Sequence, residues 1–347
     1  MKTFLNDISY NIPDDFQVIE TTDMHTGGEP LRIITKGLPE IKGKTILEKR
    51  RFFKDNLDDI RTGLMFEPRG HADMYGAVIT PPCTDDADFG TFFMHNEGYS
   101  TMCGHAIIAL TKFVLETGLI KKQGNEPELV INAPPGKIYS KAYMKNGVVE
   151  KVSFQNVPSF LYLKDQVVNV PELGTVHFDI AYGGAFYVFC NASELNLKLT
   201  ADEYNKLIDY GRRIKNSVMD QFEINHPFEK DLSFLYGTII IGKALDENHH
   251  SRNVCVFAEG EVDRSPTGSG VSARAAIHYA RNEINMGQDI TIESLLDTLM
   301  TVKVVEETKY GPHDAVIPQV AGTASFTGQH QFYFDPKDLL NKGFIFR

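Results

Sequence analysis

The sequence predicts an α+β fold built from two related halves. Two stretches of similar build carry that expectation: Thr101-Met102-Cys103-Gly104-His105-Ala106, and Asp263-Arg264-Ser265-Pro266-Thr267-Gly268-Ser269-Gly270. Each follows an acidic–glycine pair, Glu97-Gly98 or Glu259-Gly260, and each runs into a helix-forming segment. Cys103 and Thr267 stand 164 residues apart (267 minus 103), close to half of the 347-residue chain. Strand-like runs also outnumber helix-like ones, with one long and one motif-led helix per half. Two domains are the natural prior at this length. The expected division is 1–175 for the half with Cys103 and 176–347 for the half with Thr267, with about the last 15 residues free to return to the first half.

Taken in order, Phe16 to Thr22 and Leu31 to Thr35 read as strands around the turn Gly27-Gly28-Glu29-Pro30. Thr45 and Glu48 form a capping box. Behind it Leu47, Phe53, Leu57, Ile60 and Leu64 recur at helical spacing, so one amphipathic helix is expected over Thr45 to Met65. Ala77 to Thr80 and Gly90 to His95 are strand-like. The Cys103 stretch then opens a helix that stops near Thr117-Gly118. Strands follow at Glu128 to Ala133, Lys137 to Met144 and Val148 to Gln155, the last two joined by the hairpin signal Asn146-Gly147. Val176 to Tyr182 and Ala185 to Cys190 bracket Gly183-Gly184.

The order then repeats. Thr200 and Glu203 open a helix carrying Tyr204, Leu207, Ile208 and Ile214. Strands are expected at Leu235 to Ile241 and Asn253 to Ala258, then the Thr267-led helix to about Asn282. Val302 to Glu306, Asp314 to Val320, Thr323 to Phe326 and Gln331 to Phe334 complete the strands. The boundary between halves falls between Pro158 and Gly184.

Composition excludes several functions. Hydrophobic residues at 42% and charged residues at 23% fit an ordinary globular chain. A net charge of −11 argues against nucleic acid or an anionic membrane as partner. No apolar run reaches bilayer-spanning length, and Met1 to Asp7 has no signal-peptide core. The four cysteines, Cys83, Cys103, Cys190 and Cys255, are spread out. They suggest reduced thiols in a cytoplasm and neither a zinc knuckle nor a disulfide framework. A small-molecule substrate is the expected partner; a homodimer is left open.

The chemistry centres on Cys103. A helix starting at Gly104 points its free N–H groups and positive end at this site, favouring thiolate over thiol. A lone cysteine beside a helix is more often a small buried hydrophobe. Gly104, His105 and the paired stretch at Thr267 shift the balance toward function. Gly268-Ser269-Gly270-Val271-Ser272-Ala273 formally fits a dinucleotide fingerprint. Asp263 to Pro266 intervene where a strand should run into the first glycine, so NAD is rejected. The loop lacks the phosphate-loop lysine, which argues against ATP. His249-His250 and His71-Ala72-Asp73 have no metal-ligand spacing, and the histidines read as surface residues, so no metal is expected. Asp263 is a solvated loop carboxylate or a group that holds an ammonium. Gly183-Gly184-Ala185-Phe186 is a tight turn, or a close backbone approach to a ligand with Phe186 as a wall.

These stretches resemble the proline racemase superfamily, whose members carry M-C-G-H in the first half and D-R-S-P-C-G-T-G in the second. The matches are Met102 to His105 and Asp263 to Gly270, with Thr26 to Pro30, Gly183-Gly184 and Gly322 to Gly328 extending the likeness over nearly the whole chain. The resemblance implies two pseudo-symmetric units like those of diaminopimelate epimerase, each a strand-rich barrel around a central helix, with the ligand in the cleft between them. It also implies no cofactor and two cysteines flanking Cα. Here the second cysteine is Thr267. An alcohol cannot replace a thiol of pKa near 8.5 as acid or base. The Cys/Thr pairing is similar to the trans-3-hydroxy-L-proline dehydratases of that superfamily and implies a hydro-lyase. In that reading Cys103 takes the Cα proton, and Gly104, His105, Gly268 and Ser269 hold the carboxylate. Asp263, with His105, binds the ring nitrogen; protonated Cys103 or His105 serves the leaving hydroxyl; and Thr267 is a spacer or a water-orienting group on the opposite face.

Three alternatives stand beside it. A 4-hydroxyproline epimerase or proline racemase would need the missing thiol. A Cys103 acyl transferase or hydrolase would need His105 as base, and residues on one helix at that spacing project in different directions. A non-catalytic amino-acid-binding protein is the third.

Overall fold

The computed structural model describes residues 10–346. The Met1 to Asp7 segment lies outside them. The chain begins with the hairpin β1 (Gln17–Thr26) and β2 (Glu29–Lys36), then α1 (Ile46–Asn56), α2 (Asp58–Met65), β3 (Tyr75–Thr80) and β4 (Phe89–His95). Helix α3 (Gly104–Glu116) follows, then β5 (Glu128–Ala133), β6 (Gly136–Lys145) and β7 (Val148–Gln155). Next come β8 (Phe160–Val170), β9 (Gly174–Tyr182), β10 (Phe186–Asn191), α4 (Tyr204–Met219), β11 (Leu235–Gly242), β12 (Ser251–Phe257) and β13 (Glu261–Asp263). Helix α5 (Gly268–Ala280) precedes β14 (Ile290–Glu293), β15 (Leu299–Tyr310), β16 (His313–Gly322) and β17 (Ala324–Phe334).

The α+β class expected from sequence is the class found. The pairing follows one path: β17–β1–β2–β3–β4–β5–β6–β7, across to β16, then β15–β14–β12–β11–β10–β9–β8, with β13 added to β12. The two arms repeat one pattern. Parallel pairs β2–β3 and β4–β5 in one match β10–β11 and β12–β14 in the other, each needing a crossover that is a helix or a helix-containing segment. The strands curl but do not close into barrels, which corrects that part of the expectation. The second arm comes back on itself only at the isolated bridge between Ser159 and Val316.

Several elements differ from the sequence reading. The helix expected over Thr45 to Met65 is broken at Leu57, whose backbone leaves the helical region (φ −133°, ψ 15°). Asp58 and Asp59 restart α2 in the first turn, where acids are favoured. The Thr45 capping box does form, with Thr45 Oγ1 accepting the Glu48 N–H at 3.1 Å. Thr200 instead starts a short 3₁₀ turn without a side-chain capping bond, and α4 begins at Tyr204. β17 is one strand where two were expected, and β8, β13 and β14 had no strong alternating signal.

Helices α3 and α5 are the interior axes. Ile107, Ile108, Leu110 and Val114 of α3 are fully buried, as are Val271, Ala273 and Ala275 of α5. Each of the larger α3 side chains contributes about 1.5–3 kcal/mol by leaving water. Burial on all sides is why these segments read as apolar or small-residue runs and not as amphipathic ones. Their N-termini meet end to end: a Cβ on Gly104 would lie 2.6 Å from Gly268 Cα, and a Cβ on Gly268 equally close to Gly104 Cα. Only two glycines permit that approach.

Gly268→Ala should therefore destabilise the chain by about 1–3 kcal/mol through overpacking, although alanine is the better helix former. A lower melting temperature in scanning calorimetry is the expected result; an unchanged one would show that the helix ends have room to separate.

Candidate active site

Cys103 is the N-cap of α3. Its backbone is extended (φ −143°, ψ 100°), and Sγ accepts the Ala106 N–H at 3.3 Å. The extended turn folds the thiol back over the helix start, where it lies 3.2 Å from His105 Nδ1. This corrects the expectation that Cys103 and His105 are poorly placed for each other. That argument holds for two residues within a helix, and Cys103 sits just outside one.

The His105 imidazole is buried, and burial pushes it down to about 3, so the ring is neutral near pH 7. It is also hydrogen-bonded to the Pro30 backbone. Proline has no N–H, so the carbonyl accepts and one ring N–H is committed there. The His105 carbonyl accepts from Thr26 Oγ1 at 2.9 Å.

Thr267 caps α5 in a strained conformation, φ +68° and ψ 93°, which a β-branched residue rarely adopts. Its N–H donates to Ser265 Oγ at 3.1 Å, and Ser265 N–H donates to Asp263 Oδ1 at 2.8 Å. The loop is thus held by its own side chains. The Thr267 hydroxyl lies near the Asp263 carboxylate and the Cys255 thiol, and partly opposes the burial that pushes both up.

All seven expected residues, Cys103, Gly104, His105, Asp263, Thr267, Gly268 and Ser269, line one small cavity at the meeting of the two helix ends. Ser269 Oγ is hydrogen-bonded to the Tyr187 hydroxyl at 2.7 Å. Gly183-Gly184 does not face the cavity; it threads behind it. A Cβ on Gly183 would meet the Ser269 carbonyl at 2.1 Å, and one on Gly184 would meet Met102 at 2.5 Å. Phe186 packs on Phe160, Tyr162 and Tyr182 and is no ligand wall.

The sequence reading did not single out Glu29, Tyr75, Tyr236, Cys255 or Phe257, which also line the cavity. Glu29 stood in plain sight within the Gly-Gly-Glu-Pro turn. Cys255 lies in an apolar strand and looked like core. The tyrosines come from separate strands and carry no local signal. Tyr75, hydrogen-bonded to Ser100, also faces the Cys103 sulfur.

The electrostatics differ from expectation at Cys103. Burial pushes the thiol well up, and the charges of Asp263 and Glu29 add to that. The Ala106 N–H and Tyr75 oppose it without prevailing. Cys103 is therefore a thiol in the free protein, and the helix end alone does not make it a thiolate. Burial likewise pushes Asp263 up to about 6. His71 and His249–His250 join no metal site: among the described residues no three His, Cys, Asp or Glu side chains cluster as ligands. His249 pairs with Glu293, and Asp73 with Arg264.

The proline racemase family model matches residues 21–345. This chain belongs to the proline racemase family. A family relative from Colwellia psychrerythraea, named trans-3-hydroxy-L-proline dehydratase, is 53% identical over 334 residues, covering 96% of this chain and 94% of the relative. A relative from Xenopus tropicalis, named trans-L-3-hydroxyproline dehydratase, is 46% identical and covers 96% of this chain and 97% of its own. The crystal structure of a hydroxyproline epimerase from Agrobacterium vitis with bound trans-4-hydroxy-L-proline superposes with a TM-score of 0.89 at 26% identity, over 95% of this chain and 96% of that one. Among the described residues no helix is long and apolar enough to cross a membrane.

The Asp263 shift has a consequence for stability. A carboxyl near 6 in the folded chain, against about 3.9 unfolded, holds its proton more tightly when folded. Stability is then greatest below the unfolded value and falls as pH rises through 6, by up to about 3 kcal/mol. Asp263→Asn should raise the melting temperature by several degrees at about pH 7.5, with the gain vanishing below about pH 4. Calorimetry across that range checks it; no gain at the higher pH would mean the buried charge is fully compensated.

Proposed function

We propose that this protein converts trans-3-hydroxy-L-proline to Δ1-pyrroline-2-carboxylate and water, and that it works in the cytoplasm. One observation carries the reading. A thiol and an alcohol, Cys103 and Thr267, stand at equivalent helix starts and line one small cavity, in a chain about half identical to relatives that bear the dehydratase name. The four free cysteines support the compartment. The two repeating arms of strands act as the two halves, each supplying one helix start.

The substrate carboxylate binds at the N–H groups of Gly104, His105, Gly268 and Ser269, where two positive helix ends converge. Asp263 takes the ring ammonium. That cation offsets the charge of Asp263, which together with burial holds the Cys103 thiol up in the free protein, and the thiol becomes easier to ionise once substrate is bound. The neutral His105 ring, 3.2 Å away, can accept its proton. Cys103 thiolate removes the Cα hydrogen, and the helix-end N–H groups stabilise the enolate-like charge. In the trans isomer that hydrogen and the C3 hydroxyl share a ring face, so the elimination is syn and one base suffices. The C3 hydroxyl leaves as water, and the enamine tautomerises to the imine. Thr267, on the other face, delivers no proton, which favours dehydration over a 4-hydroxyproline epimerase.

Purified protein should form the imine from trans-3-hydroxy-L-proline and not from trans-4-hydroxy-L-proline or L-proline, read by NMR. Absence of product sinks the proposal. Cys103→Ser should lose at least about 10²–10⁴-fold in kcat. In D2O, L-proline should exchange its α-hydrogen without inversion, and Thr267→Cys should acquire racemisation. Substantial D-proline from the unmodified protein would contradict a one-base site.

A further inference from the structure

The dehydration proposed above needs a proton for the departing C3 hydroxyl, and the cavity narrows the choice. His105 takes the proton of the Cys103 thiol, and its two ring nitrogens are engaged by that sulfur and by the Pro30 carbonyl, so neither is directed at a departing hydroxyl. Cys103 already has to take the Cα hydrogen. Tyr75 also faces the sulfur, but burial pushes its phenol well above the usual range and makes it a poor acid, whereas Glu29 is a carboxyl in the same cavity. It directly precedes Pro30, whose carbonyl fixes the ring that touches Cys103 Sγ, so one short segment of β2 supports both residues.

The Glu29 side chain is fully buried and lines the cavity with Cys103 and Asp263. Its Oε2 accepts the Arg264 N–H at 2.8 Å. Its Oε1 is buried with no hydrogen-bond partner. A buried carboxyl oxygen left without a partner is costly unless a ligand completes it. The nearest guanidinium, Arg264, is drawn aside to Asp73 at 2.8 Å. Burial and the charge of Asp263 push Glu29 well above the usual carboxyl range, which favours its protonated form.

Resting on the dehydratase reading, we propose that Glu29 is the general acid of the reaction and that its unpartnered Oε1 side serves the C3 hydroxyl. Cys103 thiolate takes the Cα hydrogen, and that C–H electron pair becomes the Cα=C3 bond. The C3–O bond breaks toward oxygen, which receives the Glu29 proton and leaves as water. Cys103 is then a thiol and Glu29 a carboxylate. His105 still holds the proton first taken from the thiol, and passing that proton to the Glu29 carboxylate, through the released water, restores the thiol, the neutral imidazole and the carboxylic acid.

The test separates elimination from Cα–H cleavage in one variant. Glu29→Gln keeps the Arg264 bond and the side-chain shape but has no acidic proton. Dehydration of trans-3-hydroxy-L-proline should fall by about 10²–10⁴-fold. Exchange of the L-proline α-hydrogen in D2O should fall by only a few-fold. Elimination of fluoride from trans-3-fluoro-L-proline, which departs as a stable anion, should also largely survive. A parallel loss of all three would make Glu29 a structural or binding residue and overturn the proposal, as would unimpaired dehydration. Should the Gln variant not fold, Glu29→Asp carries the same test. Withdrawing the acid by one methylene should lower the ratio of dehydration to exchange at least about tenfold, and an unchanged ratio overturns the proposal. Failure of the unmodified protein to dehydrate hydroxyproline would strike at the function itself, whatever Glu29 does.

Discussion

Two helices meet head to head at a pair of glycines, and the rest of the site follows from that contact. Gly104 and Gly268 bring the positive ends of α3 and α5 within backbone distance. Two like poles pressed together in a dry interior repel. The surroundings answer with negative or anion-ready groups: Glu29 from β2, Asp263 from β13, and the space that a substrate carboxylate would fill. One geometric fact thus creates the anion site, demands buried acids and leaves the cavity small.

Those same acids set the state of Cys103. A helix end and the Ala106 N–H draw the thiol toward ionisation, while burial and two carboxyls drive it away, and the second set prevails in the free protein. A thiol that ionises mainly in company with a cationic ligand is shielded from oxidants when the site is empty. In the proposed reaction the substrate's own charge therefore helps to generate the base that attacks it.

The sequence made the two motifs legible because each is local: a small polar residue, a glycine and a helix start, repeated at a fixed offset. The α+β class was legible for the same reason, since most strands had their own alternation and turn signals. Long-range pairings were not. Glu29 and Asp263 share a cavity across 234 residues (263 minus 29), and nothing near either one announces the other. The contact between Cys103 and His105 was misjudged because a cap residue does not obey the spacing rules of the helix it opens. Leu57 shows the converse limit: a periodic apolar pattern persists across a break because both α1 and α2 pack on the same side.

Thr267 gives the pseudo-symmetry its chemical point. A threonine held at φ +68° is a costly residue for a helix cap, and its hydroxyl sits among the Asp263 and Cys255 side chains. In the proposed reaction, an enolate-like species formed by Cys103 has three fates: return of the proton, protonation from the other face, or loss of the C3 hydroxyl. A thiol at residue 267 would open the second route and divert each turnover toward the wrong stereoisomer. An alcohol closes it, because its proton is far too tightly held at neutral pH. Return and loss remain, and only loss leads forward. On the proposed roles, a racemase scaffold becomes a dehydratase by losing the acid at residue 267 and using a carboxyl that already lines the cavity, Glu29. Removing one acid leaves the intermediate a single productive exit.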